Sequence, residues 1–327
     1  MKLVFAGSPV FAVPTLERLA AAQGADAYDI RAVVTQPDRP VGRKQELQPP
    51  PVKEAALGLG LPVFQPEKIK SDQARELLEE IQPEAVVVVG YGQILPPWLL
   101  ELPRYGCVNL HASLLPAYRG AAPIQWAIAN GETRTGNTTM LMDPGLDTGP
   151  ILLQWETEIG PEETAVALAE RLSVAGADLM VETLQGLEAG TITPQPQDNS
   201  RASRAPLLKK EHGQIDWSMT AQQISNRIRG FLPWPSCYTS FRGKKLQIWR
   251  AKPAPDQTPD PSRERERPVP SPGQLLVHGN ALRVTCGGNT VLEILDVQLE
   301  GRRRMSAAEF IHGARPEADE QLQPGNF

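Results

Sequence analysis

Short apolar segments alternate with amphipathic ones along the first half of the chain. An apolar run at residues 2–6 ends at Gly7-Ser8-Pro9 and leads into a segment with helical spacing. Further strands are predicted at residues 30–35, 85–90 and 106–111, and helices at residues 74–81 and about 163–187. This alternation is typical of βαβ units, and the unbroken apolar run from Val86 to Val89 fits a strand covered on both faces. The pattern predicts a doubly wound, mostly parallel, Rossmann-like α/β domain.

The pattern changes after about residue 190. Residues 191–205 have no hydrophobic period and are rich in Thr, Pro, Gln and Ser, as in a surface linker. Beyond them, short strands and Gly/Asn turns indicate a small β-barrel of oligonucleotide-binding type. Its predicted strands are 214–217, 237–241, 246–251, 274–277, 282–286 and 291–299, with a helix at 221–229. We therefore predict a first domain over 1–190, a linker over 191–206 and a barrel over 207–327, with a Pro-rich insertion at 253–273.

Length and charge add a hint about partners. At 327 residues the chain is long enough for two domains. Residues 1–206 hold 16 Lys and Arg against 25 Asp and Glu, a net charge of −9, whereas residues 207–327 hold 17 against 13, a net charge of +4. A basic second half favours a polyanionic partner, although charge runs are more often solvated faces.

Compartment and redox class follow from what the sequence lacks. No apolar run approaches the roughly 20 residues that span a bilayer, and the chain opens on a strand-like segment instead of a secretory leader. Three separated cysteines without C-x-x-C spacing predict neither a disulfide framework nor a zinc site. We expect a cytoplasmic protein with no membrane segment.

Polar side chains with catalytic potential follow the predicted strand at 106–111. Asn109 and His111 alternate with apolar residues, so they share one face of the strand. A second polar loop at 143–149 offers the carboxylate of Asp147. Ligands of open α/β sheets bind beyond the carboxyl ends of strands, so the three side chains are expected to converge there. Taken singly, such a histidine is more often a structural hydrogen-bonder, and such an aspartate a turn former.

Two other enzyme classes lack their motifs. The turn after the first strand, residues 7–13, does not contain the glycines of a G-x-G-x-x-G fingerprint, which disfavours a nicotinamide cofactor. Ser113 has no G-x-S-x-G setting, which disfavours a serine hydrolase.

Several motifs resemble a known signature. Asn109-x-His111-x-Ser113-Leu-Leu-Pro116, Tyr118-Arg-Gly-Ala-Ala-Pro-Ile124 and Gly145-Leu-Asp-Thr-Gly149 resemble the folate-dependent formyltransferases. Nearly the whole chain is similar to the methionyl-tRNA formyltransferase family. The further matching segments are Phe5–Ala12, Thr35–Arg43, Tyr91–Pro96 and the start of the second domain at Ile215-Asp-Trp217. The insertion at 253–273 departs from the family pattern.

The resemblance implies transfer of a formyl group from 10-formyltetrahydrofolate to the α-amino group of methionyl initiator tRNA, without a metal. It implies Asn109, His111 and Asp147 as the formyl-transfer residues. The implied folate-binding residues are Ser113, Leu114, Leu115 and Pro116, with the backbone near Gln93, Ile94 and Leu95. The basic residues expected at the tRNA are Arg39, Arg43, Lys44, Lys209 and Lys210. A monomer is expected.

Formyl transfer fits these side chains on chemical grounds as well. The reaction passes through a tetrahedral oxyanion, for which Asn109 supplies a neutral N–H donor. A histidine can stabilise charge or carry a proton near neutral pH, and Asp147 would orient His111 and favour its charged form. Neither a covalent enzyme nucleophile nor a metal is required.

Four other functions compete with this hypothesis. A glycinamide ribonucleotide formyltransferase usually ends after one domain, which the basic second domain disfavours. Folate hydrolases and sugar-nucleotide formyltransferases carry a second domain too, and only the basic loop after Thr35 favours tRNA over their substrates. A non-catalytic tRNA-binding protein would not need Asn109, His111 and Asp147 intact.

Overall fold

The computed structural model describes residues 1–22, 28–41, 45–255, 271–317, 320–325 and 327. These residues form two compact units. The first comprises Met1–Pro123, Arg134–Glu158 and Ala167–Pro206, and the second Ile124–Thr133, Ile159–Val166 and Leu207–Phe327. The expected linker at 191–206 is thus part of the first unit here. Most of the expected insertion at 253–273 lies outside the described residues, as do Arg43 and Lys44.

A mixed sheet organises the first unit. The strands described there are β1 (Lys2–Gly7), β2 (Asp29–Val34), β3 (Arg39–Val41), β4 (Glu46–Gln48), β5 (Val63–Phe64), β6 (Ala85–Val89), β7 (Cys107–His111), β8 (Arg134–Leu141) and β9 (Ile151–Glu158). Seven of them lie in the order β5-β2-β1-β6-β7-β8-β9, and β3 and β4 form a separate hairpin. The first five of the seven pair in parallel, whereas β8 and β9 are antiparallel.

Helices cover both faces of this sheet. They are α1 (Val13–Ala20), α2 (Pro51–Gly58), α3 (Asp72–Ile81), α4 (Pro97–Glu101) and α6 (Ala165–Glu188), and α5 (Pro123–Ala129) lies between them in the chain. One apolar cluster joins alternate strand residues to α1, α2 and α6, and a second joins the other strand residues to α3 and α4. Every residue of β6 is buried, as expected for a strand enclosed on two sides.

The strand order reverses between β1 and β6, which is where such sheets bind ligands. Connections from β1 lead outward to β2 and β5, and the chain then returns to β6 and continues to β7. Polar loops follow three of these strands: Ser8 follows β1, Gln36 lies beyond β2, and His111 and Ser113 mark the end of β7. The Ser8 hydroxyl oxygen accepts a hydrogen bond from the backbone N–H of Gln36 at 3.1 Å, which connects the loops after β1 and β2.

The second unit is built on an antiparallel sheet. Its strands are β10 (Cys237–Phe241), β11 (Lys244–Pro253), β12 (Leu275–His278), β13 (Ala281–Thr285), β14 (Val291–Leu299) and β15 (Met305–Ser306), with helices α7 (Ala221–Gly230) and α8 (Ala307–Ala314). Five strands lie in the order β10-β11-β14-β13-β12, and β15 pairs with β14. The predicted fold class, a Rossmann-like domain followed by a small domain built on an antiparallel β-sheet, is confirmed.

One predicted strand is wrong. Residues 214–217 make only an isolated bridge, between Gln214 and Tyr238. The Asp216 carboxylate accepts hydrogen bonds from the Ser218 N–H at 2.9 Å and the Ser218 hydroxyl at 2.6 Å, which turns the chain. Trp217 is buried, and its indole N–H donates to the Thr239 hydroxyl at 3.1 Å.

Candidate active site

Asn109 and His111 lie on β7 with their side chains on the face that carries Cys107. Val108 and Leu110 point to the opposite face, into the cluster with α1 and α6. Asn109 pairs with Val88 of β6 on one side and Met140 of β8 on the other, which fixes its position in the sheet. Its side chain is 8 % exposed, and no group within the described ranges hydrogen-bonds to it. The amide is therefore free to donate to a ligand.

His111 and Asp147 face each other across the end of β7. Nδ1 of His111 lies 3.7 Å from Oδ2 of Asp147, an ion-pair distance too long for a direct hydrogen bond. The other ring nitrogen, Nε2, lies 2.9 Å from the carbonyl oxygen of Tyr118. A carbonyl can only accept, so Nε2 carries a proton and Nδ1 is the nitrogen turned toward the carboxylate.

Asp147 is held by the loop that follows β7. Its Oδ2 accepts from the backbone N–H of Gly120 at 2.8 Å. Gly120 has a φ of +126°, and a Cβ there would lie 2.5 Å from the carbonyl oxygen of Ala205. Only glycine fits this close approach. Asp147 itself has a φ of +52°, a left-handed conformation that aspartate tolerates better than most residues.

The segment from Ser113 to Pro116 is fastened by its neighbours. Ser113 is fully buried, and its hydroxyl donates to the carbonyl of Ala117 at 2.6 Å. Thr138 on β8 donates to the Ser113 carbonyl and accepts from the Leu115 N–H, while Gln154 on β9 donates to the Leu115 carbonyl at 2.9 Å. Ser113 thus shapes the loop with its hydroxyl, and a ligand would meet Leu114 and Pro116, which are half-buried.

The segment Gln93–Leu95 follows β6. Gln93 accepts from the backbone N–H of Ile69 at 2.8 Å, and Leu95 is buried. Ile94, in contrast, is 89 % exposed. Burial raises the pKa of the nearby Tyr91 phenol to about 12, so this group stays neutral at working pH.

The loop after β2 is held by a polar network. Asp38 accepts from Gln65 at 2.8 Å and from Lys53 at 2.8 and 2.9 Å, and the hydrogen bond from Gln65, followed by that from Lys53, lowers the pKa of Asp38. Arg39 begins β3 and pairs with Glu67 at 3.1 Å, with both side chains well exposed. Such an exposed pair is weak, so Arg39 can exchange Glu67 for a phosphate.

The basic residues of the second unit fall into two groups. Most arginines are paired: Arg242 with Glu320, Arg250 and Arg304 with Asp296, Arg283 with Glu293, and Arg303 with Glu309. The second group is a lysine cluster, formed by Lys209, Lys210 and Lys245. Lys209 lies 3.9 Å from Glu211, and Lys245 lies over the ring of Tyr238. Burial, and then the charge of Lys210, lowers the pKa of Lys245.

No three His, Cys, Asp or Glu side chains among the described residues are arranged to bind a metal ion. All three cysteines are buried and free, and burial raises the pKa of each thiol to about 12. In the same residues, no helix is both long and apolar enough to cross a membrane.

The chain matches two protein-family models and many relatives. The formyl transferase model matches residues 1–184, and that of the formyl transferase C-terminal domain matches residues 207–315. The chain is 51 % identical over 331 residues to the methionyl-tRNA formyltransferase of Solibacter usitatus, which covers 100 % of both proteins. It is 54 % identical over 314 residues to that of Acidobacterium capsulatum, covering 96 % of each. The chain belongs to the methionyl-tRNA formyltransferase family. The resemblance seen in the sequence is thereby confirmed, and formyl transfer is the family's reaction.

Solved structures agree on the fold. The N-formyltransferase of Helicobacter canadensis, in complex with folinic acid and dTDP-3-aminofucose, aligns with a TM-score of 0.64 at 19 % identity, covering 90 % of this chain and 98 % of that one. Methionyl-tRNA formyltransferase of Clostridium thermocellum aligns with a TM-score of 0.53 at 17 % identity, covering 79 % and 95 %. A folate compound is bound in a solved structure of this fold, as folinic acid in the Helicobacter canadensis protein.

Sequence reasoning missed the residues that support the site. Thr138 and Gln154 hold the Ser113–Pro116 loop, and Tyr118 and Gly120 contact His111 and Asp147 through their backbone atoms. Backbone roles leave no side-chain signal in one sequence. Gly120 was the one usable hint, because its backbone approaches Ala205 too closely for any side chain.

Proposed function

We propose that this chain transfers a formyl group from 10-formyltetrahydrofolate to the α-amino group of methionyl initiator tRNA, giving N-formylmethionyl-tRNA for translation initiation. The observation that carries the proposal is the convergence of an amide donor, an imidazole and a carboxylate at the end of β7. Relatives named methionyl-tRNA formyltransferase are 51 % and 54 % identical to this chain over 100 % and 96 % of its length, which supports the choice of tRNA as acceptor.

Asn109 is proposed to bind the formyl oxygen. The amine nitrogen attacks the formyl carbon, a new C–N bond forms, and the carbonyl oxygen becomes an oxyanion. An amide N–H that is already in place costs no reorganisation when this charge develops. Collapse of the intermediate breaks the bond to the folate nitrogen, and Asn109 then holds a neutral formyl oxygen again.

His111 is proposed to act at Nδ1. Nε2 is engaged with the Tyr118 carbonyl, so Nδ1 is the position at which the ring can hold or release a proton. The attacking amine loses one proton and the leaving folate nitrogen gains one, so a single site that accepts and returns a proton balances the reaction. Asp147 orients the ring and stabilises its charged form, since its carboxylate faces Nδ1.

The folate is proposed to lie against Ser113–Pro116 and Gln93–Leu95. The first segment is rigidly fastened, which suits a surface that must present a fixed shape to a flat ring. Ile94 supplies an exposed apolar side chain for the same ring. Residues Ser113, Leu114, Leu115, Pro116, Gln93, Ile94 and Leu95 remain the proposed folate-binding set.

The tRNA is proposed to meet basic residues in both units. Arg39 begins β3 in the first unit, and Lys209 and Lys210 belong to the second. Arg43 and Lys44, which follow Arg39 in the sequence, lie outside the described residues and stay in the proposed set. The lysine cluster is the proposed phosphate site of the second unit, because the carboxylate contact of Lys209, to Glu211 at 3.9 Å, is longer than those of Arg242 and Arg304, at 2.7 Å. All proposed groups come from one chain, which fits a monomer. We also propose a cytoplasmic location, since a tRNA and a folate are both anions that do not cross membranes unaided.

Replacing Lys210 with alanine should weaken tRNA binding and flatten its dependence on salt. Each lost phosphate contact is expected to reduce the slope of log K against log salt concentration by about 1, with turnover at saturating tRNA unchanged. Filter binding at several salt concentrations measures the slope. Arg250→Ala is the matched control, because Arg250 is paired with Asp296 and should change the slope less. Equal slopes for Lys210→Ala and the unmodified protein would remove Lys210 from the interface.

The acceptor is tested by competition between chemical classes. The purified chain is given 10-formyltetrahydrofolate with methionyl initiator tRNA, uncharged tRNA, glycinamide ribonucleotide or a dTDP-amino sugar, and formylated products are identified by mass spectrometry. We expect formylmethionine from methionyl-tRNA alone. Faster formylation of a small-molecule acceptor would overturn the proposal.

A further inference from the structure

Residues 195–205 run beside both loops that form the catalytic centre. The N–H of Arg119 donates to the carbonyl of Ser203 at 2.9 Å, and the N–H of Tyr118 donates to the Ser203 hydroxyl at 2.9 Å. The N–H of Ala205 donates in turn to the Arg119 carbonyl at 2.7 Å. The segment therefore pairs with the loop after β7 at the residues that contact His111 and Asp147.

Within this segment, Gln197 bonds to both loops with one side chain. Its Nε2 donates to the carbonyl oxygens of Asp147 at 2.9 Å and Gly149 at 2.8 Å. Its Oε1 accepts from Nε of Arg119 at 3.0 Å and from Nη2 at 2.7 Å. These four bonds use both donors and both lone pairs of the amide. No other uncharged side chain of this size could donate to two carbonyls and accept from a guanidinium at once.

The two loops need such a restraint because both contain strained backbone. Tyr118 has a φ of +61° and Asp147 a φ of +52°, and left-handed residues other than glycine persist only when their surroundings hold them. Tyr118 presents the carbonyl that His111 binds, and Asp147 presents the facing carboxylate. Arg119, next to Tyr118, also donates to Asn199 at 2.9 Å. The loop after β7 is therefore attached to residues 195–205 through Asn199 as well as through Gln197.

We propose that Gln197 is a positioning residue of the formyl-transfer site, acting by fixing the Asp147 loop against the loop that holds His111. This inference rests on the proposed roles of His111 and Asp147. Gln197 need not touch either substrate, and its loss moves Asp147 relative to Nδ1 of His111. Misplacement of reacting or orienting groups by a fraction of an ångström lowers the chemical step and is not restored by more substrate.

The test compares three variants of the full chain. Gln197→Leu removes all four hydrogen bonds, and Gln197→Glu keeps the acceptor for Arg119 but removes both donors to the Asp147 loop. Gln195→Leu is the matched control, since the Gln195 side chain is exposed and donates only to Thr193 in its own segment. We expect both Gln197 variants to lower kcat about 10–100-fold with little change in KM for the folate or tRNA, and Gln195→Leu to retain full activity.

A double-mutant cycle separates positioning from general stability. If Gln197 acts through Asp147, then Gln197→Leu should cost little further activity in an Asp147→Ala background. An equal loss of kcat in both backgrounds, or an unchanged kcat in Gln197→Leu alone, would overturn the proposal. A loss of activity that only parallels a lowered melting temperature would also overturn it.

Hydrogen exchange tests, without any substrate, whether Gln197 holds the Asp147 loop against the loop after β7. The peptides that contain Gly120 and residues 145–149 should exchange faster in Gln197→Leu than in Gln195→Leu, because the Gly120 N–H is bonded to Asp147. Equal exchange would refute the positioning role of Gln197, even if the acceptor of the enzyme proved to be something other than tRNA. Conversely, failure to formylate methionyl-tRNA would refute the proposed function while leaving the exchange result to decide on Gln197.

Discussion

Replacing His111 with alanine should lower turnover about 10²–10⁴-fold, the usual range for loss of a group that carries a proton or stabilises charge in the transition state. The side chain is buried beside Asp147, and its removal leaves that carboxylate without a facing imidazole. Single-turnover rates at saturating folate and methionyl-tRNA measure the chemical step directly.

The matched control for this variant is His278→Ala. His278 is exposed and lies on β12 in the second unit, so its loss should leave the rate unchanged. A His111→Ala protein whose whole defect followed its lowered melting temperature would indicate a structural histidine and remove it from the mechanism.

Replacing Asn109 with alanine should lower kcat about 10²–10³-fold, as for the loss of one oxyanion donor elsewhere. The KM for the folate should stay nearly the same, because the interaction gains strength only as negative charge develops on the formyl oxygen. Steady-state kinetics with varied folate at saturating tRNA separate the two constants.

Asn109→Asp discriminates between a donor and a packing role. Aspartate keeps the size of the side chain in this nearly closed position but offers acceptors in place of the N–H donor. We expect Asn109→Asp to be at least as slow as Asn109→Ala. An active Asn109→Asp variant would show that volume, not hydrogen-bond donation, is what the site requires.

The parallel core of the first unit was predictable because its strands are short, mostly apolar runs, and β6 is apolar at every position. The strands predicted at 30–35, 85–90 and 106–111 were found at Asp29–Val34, Ala85–Val89 and Cys107–His111, within one residue at each end. The period of two along β7 also placed Asn109 and His111 on one face. These features depend only on local sequence and on which faces helices cover.

Strand β8 was not predictable from hydrophobicity. Its sequence, Arg-Thr-Gly-Asn-Thr-Thr-Met-Leu, is largely polar, yet most of its residues are buried. Tertiary hydrogen bonds make this burial tolerable: Asn137 donates to the Leu172 carbonyl, Thr138 to that of Ser113, and Thr139 pairs with Thr183. Partners 25 to 44 residues away cannot be identified from local pattern.

Residues 191–206 illustrate the same limit at the site itself. Their composition is that of a linker, and no period marks them as part of a domain. Their order comes from hydrogen bonds to loops that lie far away in the sequence, such as those from Arg119 to Gln197. The catalytic roles of Asn109, His111 and Asp147 stay predictions until the variants above are measured.

The pairing of residues 195–205 with the loop after β7 has a consequence for the order in which the enzyme is completed. The bonds from Arg119 to Gln197 and from Tyr118 to Ser203 span 78 and 85 residues of chain. Since a protein is synthesised from its N-terminus, β7 and the Asp147 loop leave the ribosome well before the segment that fastens them. The reacting groups are thus synthesised early, and a nascent chain acquires its formyl-transfer geometry only once residues 195–205 have emerged.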